Sequence, residues 1–196
     1  MGSGSRLSMN RSQFAVTRAC FTAEEIALIR STGDSNLSDG STDYTGVSRS
    51  SRVCMMSPSH KEGWLFTKLW SILAEHNNKF YDYELDYIQP LQYSLYDSSQ
   101  NGHYEWHQDW GSAVFDPARP ELCRKLSFTL QLSDPGEYEG GRLEINYGGD
   151  YATESGFYME QGSLISFPSF MLHRITPVTK GVRRSLVGWC VGPDYK

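Results

Sequence analysis

The sequence has no Cys-x-x-Cys pair and no metal-knuckle spacing; Cys20, Cys54, Cys123 and Cys190 are widely separated. That pattern argues against a thiolate zinc site and against a disulfide framework. No stretch approaches the ~20 apolar residues of a membrane span, and the N-terminus lacks the apolar segment of a secretion leader. Neither membrane insertion nor export is therefore expected, and four scattered thiols suit a cytoplasmic setting. The chain also lacks a basic excess, with 18 Lys and Arg against 23 Asp and Glu and a formal net charge of -5. Nucleic-acid backbones and anionic membranes select clustered cations, so neither is expected as the main partner. Internal repeats and low-complexity tracts are missing too.

What remains is the composition of a folded domain: 196 residues, 39% hydrophobic, 13% aromatic and 21% charged. The Gly/Ser-rich segment Met1 to Ser8 reads as a foreign leader or disordered extension before a start at Met9, leaving 9–196 as one domain. Thr22-Ala23-Glu24-Glu25 has the form of a capping box, and Ile26, Leu28 and Ile29 supply an apolar stripe for a short helix to about Arg30. Ser31 to Ser51 is dominated by Gly, Ser, Thr and Asp and reads as a long loop. The longest helix is expected within Lys61 to Phe80, where Trp64, Leu65, Leu69, Trp70, Ile72 and Leu73 recur at helical spacing.

From Tyr83 the pattern changes to short aromatic and β-branched segments divided by Gly, Pro, Asp and Asn, as in antiparallel strands. A helical part over 9–82 and a β core over 83–193 give a mainly β, α+β fold: a sandwich or barrel with helices packed on one face. In Leu91 to Tyr96, Leu91, Tyr93 and Leu95 alternate with Gln92, Ser94 and Tyr96; in Lys125 to Leu132, Leu126, Phe128, Leu130 and Leu132 alternate with Lys125, Ser127, Thr129 and Gln131. The polar faces either meet water or line a barrel interior that holds a charged small molecule.

Three elements bear chemistry. His107 and Asp109, two apart in a segment of strand character, can reach one ion from one face, though His-x-Asp alone is weak evidence. His173 lies downstream in the apolar stretch Phe167 to Ile175, where it is either a buried structural histidine or a third ligand. Two histidines and one carboxylate form the facial triad of non-haem Fe(II) oxygenases, which leaves coordination positions open. Ten residues beyond His173, Arg183 and Ser185 share one strand face while Arg184 faces outward as an ordinary surface cation. An inward arginine is costly unless it meets a carboxylate; the bland alternative is a pair of surface charges.

In this order the segments resemble the 2-oxoglutarate-dependent oxygenases, within them the prolyl-4-hydroxylase-like, PKHD-type group. The resemblance spans about Tyr87 to Pro193 and includes Tyr104-Glu105-Trp106-His107-Gln108-Asp109, Gly140-Gly141-Arg142-Leu143, Gly162 to Pro168 and His173 to Arg183. It implies a double-stranded β-helix, the distorted, cupin-like jelly roll, with N-terminal helices on the larger sheet. It further implies Fe(II) held by His107, Asp109 and His173, and 2-oxoglutarate held through Arg183 and Tyr96. Ser185 joins them by sharing the strand face of Arg183, and Gln131, where related enzymes often have a different residue, by the polar face it shares with Thr129, which suits a pocket wall. O2 would be consumed, ascorbate would stimulate, and C–H hydroxylation would release succinate and CO2. Halogenating relatives lack the carboxylate that Asp109 supplies, which favours hydroxylation.

The substrate implied is a prolyl residue of a peptide or protein. A free amino acid or other small metabolite is the alternative, and a non-catalytic or non-oxidative cupin-type barrel is the rival from another class. Tyr104, Trp110 and Arg124 are candidates for substrate contact: Tyr104 through the family match, Trp110 because it opens a turn-rich 110–122 segment that suits a rim, and Arg124 because with Lys125 it forms an exposed cationic strand start.

Overall fold

A computed structural model of the protein describes residues 14–40, 46–59, 61–110, 119–146, 151–152 and 160–194. The Gly/Ser-rich leader and the central residues of the 110–122 segment lie outside them. In chain order the elements are β1 (Ala15–Thr17), α1 (Ala23–Asp34), β2 (Ser38–Asp39), β3 (Arg49–Ser50), β4 (Arg52–Met56), α2 (Gly63–His76), a π turn (Asn77–Tyr81), β5 (Tyr87–Ile88), β6 (Leu91–Asp97), β7 (His103–His107), β8 (Leu122–Gln131), β9 (Tyr138–Gly140), β10 (Leu143–Asn146), β11 (Tyr151–Ala152), β12 (Leu164–Pro168), β13 (His173–Ile175) and β14 (Val178–Pro193). They form a nine-stranded sheet, with β1-β12-β8-β14-β6-β4-β2 in order and β5 and β9 also on β14, and a five-stranded sheet ordered β11-β10-β13-β7-β3. The pairings are antiparallel. Two such sheets facing each other make the double-stranded β-helix.

The capping box at Thr22 forms as the sequence predicts, with Thr22 and Glu25 each satisfying the other's backbone N–H. The helix it starts runs past Arg30 to Asp34. Ser31 and Thr32 satisfy their hydroxyls on the Leu28 carbonyl, and Gly33 lets the helix lie against the Tyr93 ring, where a Cβ would come within 2.5 Å. Leu28, expected in the apolar stripe, is 53% exposed, and Ile26 and Ile29 carry the buried face.

The segment read as a loop also holds β2 and β3, which pair with β4 and β7 and so reach both sheets. The 9–82 region is therefore not only helical. In α2, Leu65, Leu69 and Leu73 are buried at the spacing of one helical face and pack with Leu91, Tyr93, Phe128, Leu130 and Leu186 of the larger sheet. Helices thus cover the greasy outer face of that sheet.

Because the outer face is covered, the polar alternates must point into the barrel. In β8, Leu126, Phe128, Leu130 and Leu132 are fully buried, yet Lys125, Ser127, Thr129 and Gln131 are at most 5% exposed. Of the two readings of the alternation, a lined interior is the one realised.

Candidate active site

His107 is the last residue of β7 and Asp109 lies just beyond it, held by a hydrogen bond from its N–H to the Ser169 carbonyl. β13 brings His173 directly opposite His107. One ligand atom from each of the three side chains lies within 4.8 Å of the others, and all three residues are at most 9% exposed. Asp109 Oδ2 is 3.5 Å from His173 Nε2, and Oδ1 is 3.9 Å from His107 Nε2. Ligand atoms about 2.1 Å from a shared ion at right angles sit about 3 Å apart, so the three donors stand somewhat wider than a closed site and need a small inward shift to hold one metal.

Their protonation suits this. His107 Nδ1 donates to the Glu105 carbonyl at 2.7 Å and His173 Nδ1 to the Met171 carbonyl at 2.9 Å; a carbonyl can only accept, so each Nε2 is left with its lone pair. Burial, reinforced by His173 and opposed by Asp109, pushes His107 down to about 4, which keeps it neutral. Burial alone would raise Asp109, but His173, His107, Arg124 and the Ser127 hydroxyl hold it below the usual carboxylate range. Ser127 donates to Asp109 Oδ2 at 2.7 Å.

The inner face of β8 continues from Ser127 through Thr129 to Gln131, which pairs across the sheet with Ser185. Arg183 pairs with Tyr96. It is 2% exposed, lies 5.5 Å over the Tyr96 ring and donates to Ser185 Oγ at 3.2 Å. Among the described residues no carboxylate pairs with it, so this buried cation has room in its hydrogen-bonding demand for an incoming anion. Gly141 explains the Gly-Gly turn: at φ +56 it packs on the arginine stem, where a Cβ would meet Arg183 Cδ at 2.9 Å. Gln131 donates to the Tyr138 hydroxyl at 2.8 Å, and its Oε1 has no hydrogen-bond partner among the described residues. Tyr96, Tyr138, Ile165, Phe167 and Ile175 form one buried cluster, and Phe167 packs edge-on to His173, so the cation and the triad share an interior.

Several expectations change. Strict alternation sets Tyr104 away from His107, but their rings stack with centroids 3.6 Å apart. β7 advances three positions from Tyr104 to His107 where β13 advances two between Ile175 and His173, and this bulge returns Tyr104 to the ligand face. Arg184 is no ordinary surface cation: its Nε lies 3.2 Å from both oxygens of Asp34 in α1, and its side chain is 19% exposed. Lys125 and Arg124 are not an exposed cationic pair; Lys125 is 4% exposed, and Arg124 stacks 3.8 Å over Trp189 and donates to Gln89. Trp110 is 47% exposed beside the triad, near Phe170 at 42%, whose carbonyl accepts from Gln108.

Arg49 and Trp189 were not among the candidates. Trp189 shares the face of Arg183 and Ser185 by plain alternation, so the signal was present. Arg49, within a Gly/Ser/Thr/Asp-rich stretch, had none.

A jelly-roll barrel with a buried 2-His-1-carboxylate constellation and an interior arginine that meets no carboxylate among the described residues defines a recognisable class. The model of the 2OG-Fe(II) oxygenase superfamily matches residues 91–191, and the chain belongs to that superfamily. It is similar to a PKHD-type hydroxylase of Hyphomonas neptunium, 40% identical over 106 residues that cover 53% of this chain and 45% of the relative. The matched region spans less than half the length of such curated relatives.

In fold it resembles a Pseudomonas putida prolyl-4-hydroxylase, with a TM-score of 0.66 at 18% identity over 91% of both chains. It also resembles a Trichoplax adhaerens prolyl hydroxylase in complex with a hypoxia inducible factor peptide fragment, with a TM-score of 0.67 at 15% identity over 93% of this chain and 84% of the other. No helix among the described residues is long and apolar enough to cross a membrane.

Proposed function

We propose that the protein is an Fe(II)- and 2-oxoglutarate-dependent dioxygenase that hydroxylates a prolyl residue of a peptide or protein. The observation that carries this reading is Arg183, buried to 2% with no carboxylate partner among the described residues, in the same interior as the His107, Asp109 and His173 constellation. A barrel that takes no anionic ligand has no use for such a cation. A dicarboxylate co-substrate does, because a guanidinium can hold its distal carboxylate by paired, charge-assisted hydrogen bonds. The prolyl assignment is supported by the PKHD-type relatives and by the peptide bound to the Trichoplax neighbour.

When bound, Fe(II) and 2-oxoglutarate would supply with O2 the oxidising power that yields succinate and CO2 and hydroxylates the substrate carbon. The chain's own residues position and enclose. His107, Asp109 and His173 would hold the metal on one side and leave the others open. The Glu105 and Met171 carbonyls fix the two imidazoles, Ser127 fixes the carboxylate, and the Tyr104 ring braces His107. Arg183 would anchor the co-substrate, with Ser185, Tyr96 and Gln131 around it, and the exposed Trp110, next to Asp109 in the chain, would be available to substrate.

The test is succinate release from purified protein with Fe(II), ascorbate, 2-oxoglutarate and a panel of prolyl peptides. His107→Ala or Asp109→Ala is expected to abolish release, and Arg183→Gln to weaken 2-oxoglutarate binding at least tenfold, as expected for losing charge-assisted contacts of about 1.5–3 kcal/mol. Unchanged turnover in either metal-site variant, or unchanged co-substrate affinity in Arg183→Gln, would sink the assignment.

A further inference from the structure

Among the described residues, the buried side-chain polar atoms without a hydrogen-bond partner are Arg49 Nη2, Gln131 Oε1 and Trp189 Nε1. Both donors belong to arginine–aromatic stacks beside the metal constellation. Arg49, from β3, lies 4.7 Å over the ring of Tyr104, which itself lies on His107. Its Nε donates to Ser51 Oγ, a neutral partner. On β8, Arg124 lies 3.8 Å over Trp189, and its Nε donates to the neutral Gln89 side chain. Neither guanidinium has an ion pair among the described residues. The carboxylate whose charge reaches Arg124 is Asp109, which a metal would claim.

Charge decides what these donors would receive, given the dioxygenase reading on which this inference rests. A divalent metal, doubly charged 2-oxoglutarate, Asp109 and Arg183 cancel among themselves. Among the described residues Arg49 and Arg124 are then surplus, held against aromatic faces that stabilise a cation without neutralising it. Partly buried positive charge of this kind is unfavourable until an anion arrives. A neutral peptide carbonyl could use the free donors but would leave both charges uncompensated.

We infer that the substrate carries a carboxylate close to the carbon that reacts, and that Arg49 and Arg124, with the Trp189 indole N–H, form the site that receives it. Two sources share this chemistry: the main-chain carboxylate of a C-terminal target residue, and an Asp or Glu side chain beside the target residue in a peptide. The pairing of β3 with β7 also gives the Gly/Ser/Thr-rich segment a role, since it delivers Arg49 to the site.

The experiment is calorimetric binding to protein loaded with 2-oxoglutarate and Mn(II) in place of Fe(II), so that nothing turns over. Two matched pairs of probes separate the sources. N-acetyl-L-proline against its N-methylamide reports a main-chain carboxylate, and acetyl-Asp-Pro-Gly-amide against acetyl-Asn-Pro-Gly-amide reports a side-chain one. In at least one pair the carboxylate member is expected to bind tenfold or more tightly than its neutral partner. That ratio should fall below about threefold in Arg49→Gln/Arg124→Gln and stay above it in Arg49→Lys/Arg124→Lys, since the lysines preserve the charge although they lose the stacked fork.

No difference in either pair, whether both members bind or neither does, overturns the inference, as does a ratio that survives the double glutamine change. 2-Oxoglutarate affinity, measured on the same samples, separates the two levels. If it is high in the wild type and lost in Arg183→Gln, the co-substrate reading stands whatever the pairs show; if the wild type does not bind it, that reading fails and takes this one with it.

Discussion

His76 shows how one side chain can tie distant segments together and set a pH limit. It is 4% exposed, its Nε2 shares a hydrogen bond of 2.7 Å with Thr17 Oγ1 and its Nδ1 one of 2.8 Å with Ser166 Oγ, so it links β1, α2 and β12. Burial lowers its pKa below the usual histidine value, with Lys79 adding to the effect and Glu75 opposing it. The unfolded chain takes up a proton near the ordinary histidine pKa of about 6.5, which the folded chain resists. Stability is therefore whole above that pH and declines as pH falls below it. His107, pushed down to about 4, acts in the same direction. The melting temperature of metal-free protein is expected to drop between pH 7 and 5, and to drop less steeply in His76→Gln because only the His107 contribution remains. Identical slopes would deny His76 this role.

At the same scale, the residues differ in what the sequence disclosed. His107, Asp109, His173 and Arg183 could be named because a spacing of two marks one strand face and the rest follow in order along the chain. Tyr104 could not be placed, since a bulge on β7 breaks the very alternation that places its neighbours. Arg49 acquires meaning only through pairing with β7, a contact 55 residues away for its register partner Tyr104.

Among the elements, β14 tests the packing most directly. Gly188 sits between Phe128 of β8 and Leu91 of β6; a Cβ there would lie 2.4 Å from Phe128 Cζ and 2.7 Å from Leu91 Cδ2. Both neighbours are fully buried and held from the other side by the helices. Gly188→Ala is expected to cost about 1–3 kcal/mol through overpacking. Gly63→Ala at the start of α2, where a Cβ meets nothing within 4 Å, is expected to gain about 0.4–1 kcal/mol by restricting the unfolded chain. Urea midpoints with unchanged slopes would measure both, and equal effects would refute this account of the sheet–helix contact. α2 was legible from its leucine spacing. The last turn of α1 was not, because Ser31-Thr32-Gly33-Asp34 reads as a turn until Tyr93 supplies the surface for Gly33.

The whole molecule brings together side chains from β7, β8, β13 and β14 that have little reason to meet without the metal and co-substrate. Three buried donors held for one ion should bind it in the native state and not in the unfolded chain, so the ion is expected to stabilise by about 2.7 kcal/mol at a hundred times its Kd. Mn(II) should therefore raise the melting temperature of the wild type and leave Asp109→Ala unmoved. A shift of equal size in both would place the ion elsewhere. Legibility also ends at this scale: chain order reveals which residues could cooperate, but the wall that Arg49 and Trp189 build beside the triad depends on how two sheets face each other.

β14 has one more consequence. It runs for 16 residues and is hydrogen-bonded to β5, β6, β8 and β9, all of which precede it in the chain. On a ribosome those partners emerge first and wait with bare edges, which are open to wrong pairing, until the strand that unites them is made. The larger sheet can thus close only once β14 has been made, and its closure is the same event that carries Arg183 into the interior.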